Sequence, residues 1–274
     1  MKRSLVLWGV AVLVTLFSAG WQKRSGPTYP VSVDEVVGGE ALTGELPRSW
    51  TVGDPVHIEL SSTADLSGEV EWRRWPTGDE WERVAFVKEG DVLVAELPAQ
   101  TKKAAKIEYR VRVSDGAADE LRYSTRLRFK GAVPGAILVV HILAMFLGML
   151  FSLRAGMEAV VKGDGLRWQT IVTLICLGGG GLLLGPIVQR YAFDAYWTGW
   201  PVGEDLTDNK LALAVLFWAI ALWQQTRGRW VWSVVAAVVT FVIFMVPHSL
   251  HGSTHDWETG EHIQAMVQRF WPLA

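Results

Sequence analysis

The groups in this chain that could do chemistry are six histidines and a loop of carboxylates. His248, His251 and His255 follow at spacings of three and four, so a continued helix would set them on one face. Asp256, Glu258, Glu261 and His262 come next. Asp205 and Asp208 close the string Trp197-Thr-Gly-Trp-Pro-Val-Gly-Glu-Asp-Leu-Thr-Asp-Asn-Lys210. Imidazole and carboxylate together hold zinc or copper, which makes Asp205, Asp208, His248, His251 and His255 candidate ligands of a divalent metal. His141 and His248 form a second candidate set, because two histidines on facing helices suit a b-type haem.

Each set also has a plainer reading. Gly252 and Ser253 interrupt the tail, and no compact metal signature is present, so a wet polar tail is preferred. His141 lies inside an apolar run, and a neutral imidazole bonded to a neighbouring helix accounts for it; His248 falls nearer the interface. Asp205, Thr207 and Asp208 precede a further apolar run, where side-chain oxygens cap free amides and carboxylates suit the positive helix end. That leaves Glu204, and whichever aspartate does not cap, for a metal or partner. No cofactor is therefore expected, with haem b or a divalent metal as the alternative.

These groups need a membrane protein to position them. Half of the 274 residues are hydrophobic, with 15 Trp and a formal charge of −2. The charge gives no sign of a nucleic-acid binder, which needs a basic face. A single cysteine, Cys176, excludes an internal disulfide and a Cys-based metal cluster. A bilayer core needs about 20 helical residues. Val133–Leu153, Trp168–Val188, Leu211–Trp223 with its flanks and Trp230–Val246 meet or approach that length. Leu5–Gly20 follows Met1-Lys2-Arg3 and reads as an uncleaved anchor rather than a cleaved signal.

Lys and Arg near the span ends set the orientation. Lys2, Arg3, Arg154, Lys162, Arg167, Arg227 and Arg229 fit the cytoplasmic side. Asp194, Glu204, Asp205, Asp208, Asp256, Glu258 and Glu261 fit the other. Arg190, Lys210 and Arg269 count against this assignment but are fewer. The expectation is five spans, N-terminus cytoplasmic, with the β-domain and C-terminus on the outer face.

The polar region before the bundle alternates with a period of two, as half-buried strands do. Val56, Ile58 and Leu60 begin the pattern. Val70 and Trp72, then Leu93, Ala95 and Leu97 continue it. Ile107, Tyr109, Val111 and Val113 form the clearest run, and Leu121 to Phe129 the last. About six or seven short strands at this spacing predict an immunoglobulin- or fibronectin-III-like β-sandwich, with a small open barrel as competitor. His57 falls on a polar strand face, and the Glu and Arg of "EVEWRRW" and "YRVRV" read as a solvated sheet face. The domain plan is an anchor at 1–22, a periplasmic β-sandwich at 23–130, a four-helix transmembrane bundle at 131–250 and a tail at 251–274. Ile263, Met266, Val267, Phe270 and Trp271 predict an amphipathic helix in that tail.

Leu177-Gly-Gly-Gly-Gly-Leu-Leu-Leu-Gly-Pro186 has small residues four apart, Gly181 and Gly185, which permit close helix packing within the bundle. Pro186 should kink or end its helix. Spans poor in acids and bases argue against a proton- or ion-driven transporter.

Several strings resemble an uncharacterised group of bacterial inner-membrane proteins. They are "GPTYPV" (26–31), "YRVRV" with "RFKGAVP" (128–134), "HILAMFLGMLFSLRAGMEA" (141–159), "GPIVQRYAF" through "DLTDNK" (185–210) and "PHSLHGS" (247–253). The resemblance implies an anchor, an outer β-domain and a four-span region, and no activity.

The functional expectation is a non-enzymatic membrane protein. It would act as an accessory or assembly subunit whose β-sandwich meets protein partners, since fold alone carries no chemistry. An electron-transfer or metal- and haem-handling subunit using His141 and His248 is the alternative, and a transporter the third reading.

Overall fold

The computed structural model describes residues 2–116, 120–203, 205–248, 254–260 and 262–263. The chain forms two compact units, a helical one built from Met1–Pro27 and Val133–Gly252, and a β unit built from Thr28–Ala132 and Ser253–Ile263.

The β unit contains β1 (Val31–Val37), β2 (Glu40–Leu46), β3 (Ser49–Thr51), β4 (Val56–Ser61), β5 (Ser67–Trp75), β6 (Glu82–Ala85), β7 (Val87–Glu89), β8 (Val92–Leu97), β9 (Lys106–Ser114) and β10 (Glu120–Lys130). They form two five-stranded sheets, β1-β2-β4-β8-β7 and β3-β10-β9-β5-β6. All pairings are antiparallel except that of β3 with β10.

The period-two pattern becomes burial. Val56, Ile58, Leu60, Leu93, Ala95 and Leu97 from the first sheet share one core with Val70, Trp72, Ile107, Tyr109, Val111, Val113, Leu127 and Phe129 from the second. Each large apolar side chain there contributes about 1.5–3 kcal/mol relative to exposure. Tyr109 also donates its hydroxyl to Pro47 O at 2.8 Å, so its one polar group is satisfied.

The sheet begins earlier than the sequence pattern indicated. β1 and β2 buried Val33, Val37, Leu42 and Leu46, but Glu35 and Gly44 interrupt the apolar alternation midway. Gly38 and Gly39 make their two-residue turn, both at positive φ (63° and 80°). That geometry matches strand twist and favours glycine. A last hairpin, β11 (Thr254–His255) paired with β12 (His262–Ile263), also belongs to this unit rather than to a separate tail. Ile263 is thus in a strand, and the rest of the expected amphipathic helix lies outside the described residues.

The helical unit contains α1 (Lys2–Ser25), α2 (Gly135–Val160) and α3 (Leu166–Ile175). The last continues through a π-helical segment, Cys176–Leu183, into α4 (Leu184–Phe193); α5 (Leu206–Gln225) and α6 (Val231–Met245) follow. Lys2–Ser25, Gly135–Val160, Leu166–Phe193 and Leu206–Gln225 are long and apolar enough to cross a membrane; Val231–Met245 is apolar but shorter. The helix does not end at Pro186. It widens into the π segment just before the proline, which gives the ring room where an α-helical carbonyl would collide.

Side-chain bonds between helix ends fix the directions. Trp21 Nε1 donates to Met245 O at 2.9 Å, and Gln22 Nε2 to Phe244 O at 2.5 Å, so α1 and α6 run the same way. Lys210 Nζ donates to Val246 O at 2.9 Å, which sets α5 against α6. Gln225 Nε2 donates to Thr170 Oγ1 at 2.8 Å, setting the end of α5 beside the start of α3.

Glycine lets the helices approach. A Cβ on Gly180 would lie 2.3 Å from Ala144 Cβ, and one on Gly181 would lie 2.6 Å from Leu211 Cδ1. Both glycines therefore pack within the bundle, while Gly178 meets no heavy atom within 4 Å. Gly180→Ala should cost about 1–3 kcal/mol through overpacking. Gly178→Ala should be neutral or gain up to about 1 kcal/mol from helix propensity. Thermal unfolding of the two variants in detergent checks this; equal melting temperatures would contradict the packing assignment.

Candidate functional site

The carboxylate loop is organised by its own side chains. Asp205 caps α5 by accepting from Thr207 N at 2.7 Å. Asp208 Oδ2 accepts from Thr198 N at 2.7 Å and from Thr198 Oγ1 at 3.2 Å, while the Gln189 amide lies 2.6 Å from the same hydroxyl. Asn209 Oδ1 accepts from Trp200 N at 2.7 Å, and Trp197 Nε1 donates to Trp200 O at 3.2 Å. Both aspartates thus bind backbone amides and build the loop, as capping requires. Glu204 lies outside the described residues.

Lys210 joins this end to the segment after α6 through Val246 O and Pro247 O. His248 follows directly, with Lys210, His141 and Asp205 as electrostatic neighbours. Its side chain retains accessible surface. Even so, desolvation by the surrounding protein, then repulsion from Lys210, holds its imidazole down at about 4. The ring is neutral at neutral pH, the form that binds metals.

His141 Nδ1 lies 2.6 Å from Gly180 O in the π-helical segment. A carbonyl only accepts, so Nδ1 carries the proton and Nε2 is left as the acceptor. The interhelical bond read from sequence is therefore present. It also fixes the tautomer that a ligating histidine adopts.

His255 belongs to the β unit, where it is buried, donates its amide to Ala104 O at 3.0 Å and meets the Trp257 ring edge-on at 5.2 Å. His251 lies outside the described residues. Among the described residues, no three His, Cys, Asp or Glu side chains converge as a metal site does.

Sequence reasoning missed the charged pair at the opposite end of the bundle. Arg154 was counted as a loop cation, but α2 runs on to Val160 and buries it. Its Nη1 donates to Glu158 Oε2 at 2.5 Å, and Glu158 Oε1 accepts from Gly165 N at 3.0 Å. Arg154 Nη2 reaches Ser4 Oγ at 3.5 Å, and its Cζ lies 5.5 Å from the Trp8 ring. Phe151 meets Trp8 and Trp168 edge-on at 5.3 and 5.7 Å. A Cβ on Gly163 would lie 2.2 Å from Glu158 Oε1, so the turn must be glycine there. Opposite charges four residues apart among small residues, Arg154-Ala-Gly-Met-Glu158-Ala, were the signal available in the sequence.

The outward face of the β3-β10-β9-β5-β6 sheet alternates cations, acids and tryptophans. Arg73 and Arg110 stack on the Trp81 ring, at 4.5 and 3.9 Å, and Arg126 stacks on Trp75 at 4.1 Å. Arg73 pairs with Glu108; Arg83 and Arg112 share Glu71. The β11–β12 hairpin sits at one corner. Lys106 Nζ donates to Thr254 Oγ1 at 2.6 Å, Trp257 Nε1 donates to Trp75 O at 3.3 Å, and Arg74 lies 5.3 Å over Trp257.

No protein-family model, curated protein or solved structure matches this chain.

Two variants test these assignments. Arg154→Met leaves Glu158 buried without its counter-charge and should cost about 3–5 kcal/mol, while Arg154→Met with Glu158→Met should recover most of it. Unfolding in detergent measures both, and an additive double variant would contradict a coupled pair.

Lys106 supplies the second test. Burial, then the charges of Arg128 and Arg126, hold its amine down at about 7. Above that pH, and up to lysine's ordinary range, the unfolded chain binds a proton that the folded β unit does not. Stability should therefore rise with pH across that window. Lys106→Met should flatten the rise, with its largest gain over wild type below pH 7. Denaturant titrations at several pH values, followed by near-UV dichroism, measure the two slopes.

Proposed function

We propose that this chain is a non-enzymatic accessory or assembly subunit of a bacterial inner-membrane complex, presenting its β unit to protein partners on the periplasmic side. The observation that carries this reading is the Arg–Trp face of the β unit. It is a partly exposed surface of the residue types that dominate interface energetics. In the helical unit, by contrast, Asp205, Asp208, Lys210, Arg154 and Glu158 hold protein groups. They serve as structural ties.

Five spans with a cytoplasmic N-terminus agree with the alternating helix directions. The 15 residues of α6 extend about 22 Å at 1.5 Å per residue, and Trp230 and Trp232 suit the interface at its start. Moving Arg154 out of the loop count leaves Lys2, Arg3, Lys162, Arg167, Arg227 and Arg229 on the cytoplasmic side, so the orientation survives. The two facing sheets and their shared core suit an immunoglobulin- or fibronectin-III-like sandwich.

The alternative is a haem- or metal-handling subunit. One observation favours it: His141 Nδ1–H is fixed by Gly180 O, and His248 is held neutral nearby.

One purification separates the readings. The full chain, tagged and isolated in mild detergent from its own host, should carry stoichiometric partner subunits and show neither a Soret band nor bound metal. A Soret band lost in His141→Ala would establish the alternative, and a clean monomer would overturn the accessory-subunit reading.

A further inference from the structure

We propose that the outward face of the β3-β10-β9-β5-β6 sheet docks an acidic, extended segment of a protein partner, gripped by Arg110 and Arg126. This rests on the partner-presenting reading above and names the partner's chemistry.

Among the described residues, the carboxylates along this face are engaged: Glu108 by Arg73, Glu69 and Glu71 by Arg83 and Arg112, and Glu120 by Arg122. Arg110 and Arg126 instead sit over the Trp81 and Trp75 rings, with Cζ 3.9 and 4.1 Å from the ring centroids. A stacked guanidinium keeps its N–H edge available and loses little freedom on binding, which is how a preorganised donor gains affinity. The local field is positive too. After burial, the charges of Arg128 and Arg126 are what hold the neighbouring Lys106 amine below the lysine range.

The spacing selects an extended chain. Arg126 stands opposite Glu108 and Arg110 opposite Ser124 in the β9–β10 register, so the two arginines are diagonal neighbours. Their separation is on the order of 7 Å. Alternate side chains on one face of an extended strand are also about 7 Å apart, at a rise of about 3.4 Å per residue.

The chain's own segment Thr254-His-Asp-Trp-Glu258 lies at the adjoining corner, with Trp257 donating to Trp75 O and Arg74 placed over its ring. A partner segment of alternating acids would continue the same surface past Trp75 to Trp81.

The test uses the full chain in nanodiscs of zwitterionic lipid and a fluorescent peptide of alternating Glu and Ser, read by anisotropy at low salt. Wild type should bind it, and a Lys–Ser peptide should not bind. Arg110→Gln with Arg126→Gln should weaken binding about tenfold or more, a loss of about 1.4 kcal/mol or more. Arg126→Lys, which keeps charge but loses the planar fork, should fall between. Arg122→Gln with Glu120→Gln, which removes an exposed ion pair of the same sheet without changing its charge, should bind as wild type.

Absent wild-type binding, equal loss in the Arg122→Gln, Glu120→Gln control, or no loss in the Arg110→Gln, Arg126→Gln variant would overturn the proposal. So would capture of phosphatidylglycerol vesicles that the peptide fails to displace. Unchanged melting of the Arg110→Gln, Arg126→Gln variant separates binding from folding. If host subunits co-purify with that variant as with wild type, this surface assignment fails while the accessory reading stands. If none co-purify with wild type, that reading fails by itself.

Discussion

The helical unit depends on the neutralisation of two charges, Arg154 and Glu158. Both are buried near the end of an apolar helix, where an isolated charge is costly. Neutralising them fixes more than a salt bridge. Glu158 uses its second oxygen to hold the Gly165 amide, so the turn from α2 into α3 is set by the same carboxylate. Gly163 must lack a side chain for that carboxylate to fit. Arg154 then reaches α1 through Ser4 and Trp8. One ion pair thereby registers three helices, which in an apolar environment have little hydrophobic drive to choose a register.

The β unit answers a different constraint. Its core is filled by alternation, so a single sheet face carries the apolar residues and the other is left to polar ones. Tryptophan serves both faces. Trp72 points inward and packs in the core, while Trp75 and Trp81, on the outward side, lie under arginine guanidiniums. Rows of like charge would repel across strands. Here acids alternate with cations, and the surplus cations are placed over aromatic rings, where the ring face offsets charge without neutralising it.

Legibility in the sequence followed the period of the pattern. Strands with unbroken alternation, such as Ile107 to Val113, could be read directly, and each expected inward residue is buried. β1 and β2 were missed because Glu35 and Gly44 occupy the middle of their inward-facing positions, which erases a two-residue period over so short a run. The apolar runs located the helices, but their ends were harder. Arg154 and Glu158 look like a loop when charge is counted alone, and only tertiary pairing keeps them helical. The His141 bond was legible as a type of interaction, since an intramembrane imidazole needs a partner. Its acceptor was not, because Gly180 O is available only where the helix widens. The ion pairs and ring stacks of the sheet face depend on cross-strand register, which single-strand alternation does not specify.

The carboxylate loop shows why residue type alone misplaces chemistry. Asp205 and Asp208 have the right groups for a metal and sit among candidate ligands. Yet backbone amides at a helix start and in a tight turn have no other partner, and a nearby carboxylate satisfies them at no cost in chain length. A carboxylate engaged in this way is a poorer ligand, because coordination must compete with bonds that hold the loop together. Arg110 and Arg126 stand in the opposite position. Their stacking is satisfied through the ring face, which leaves the hydrogen-bonding edge outside the fold's own requirements. The capacity to bind something else follows from which groups the fold has not already used, and on that count the sheet face outranks the loop.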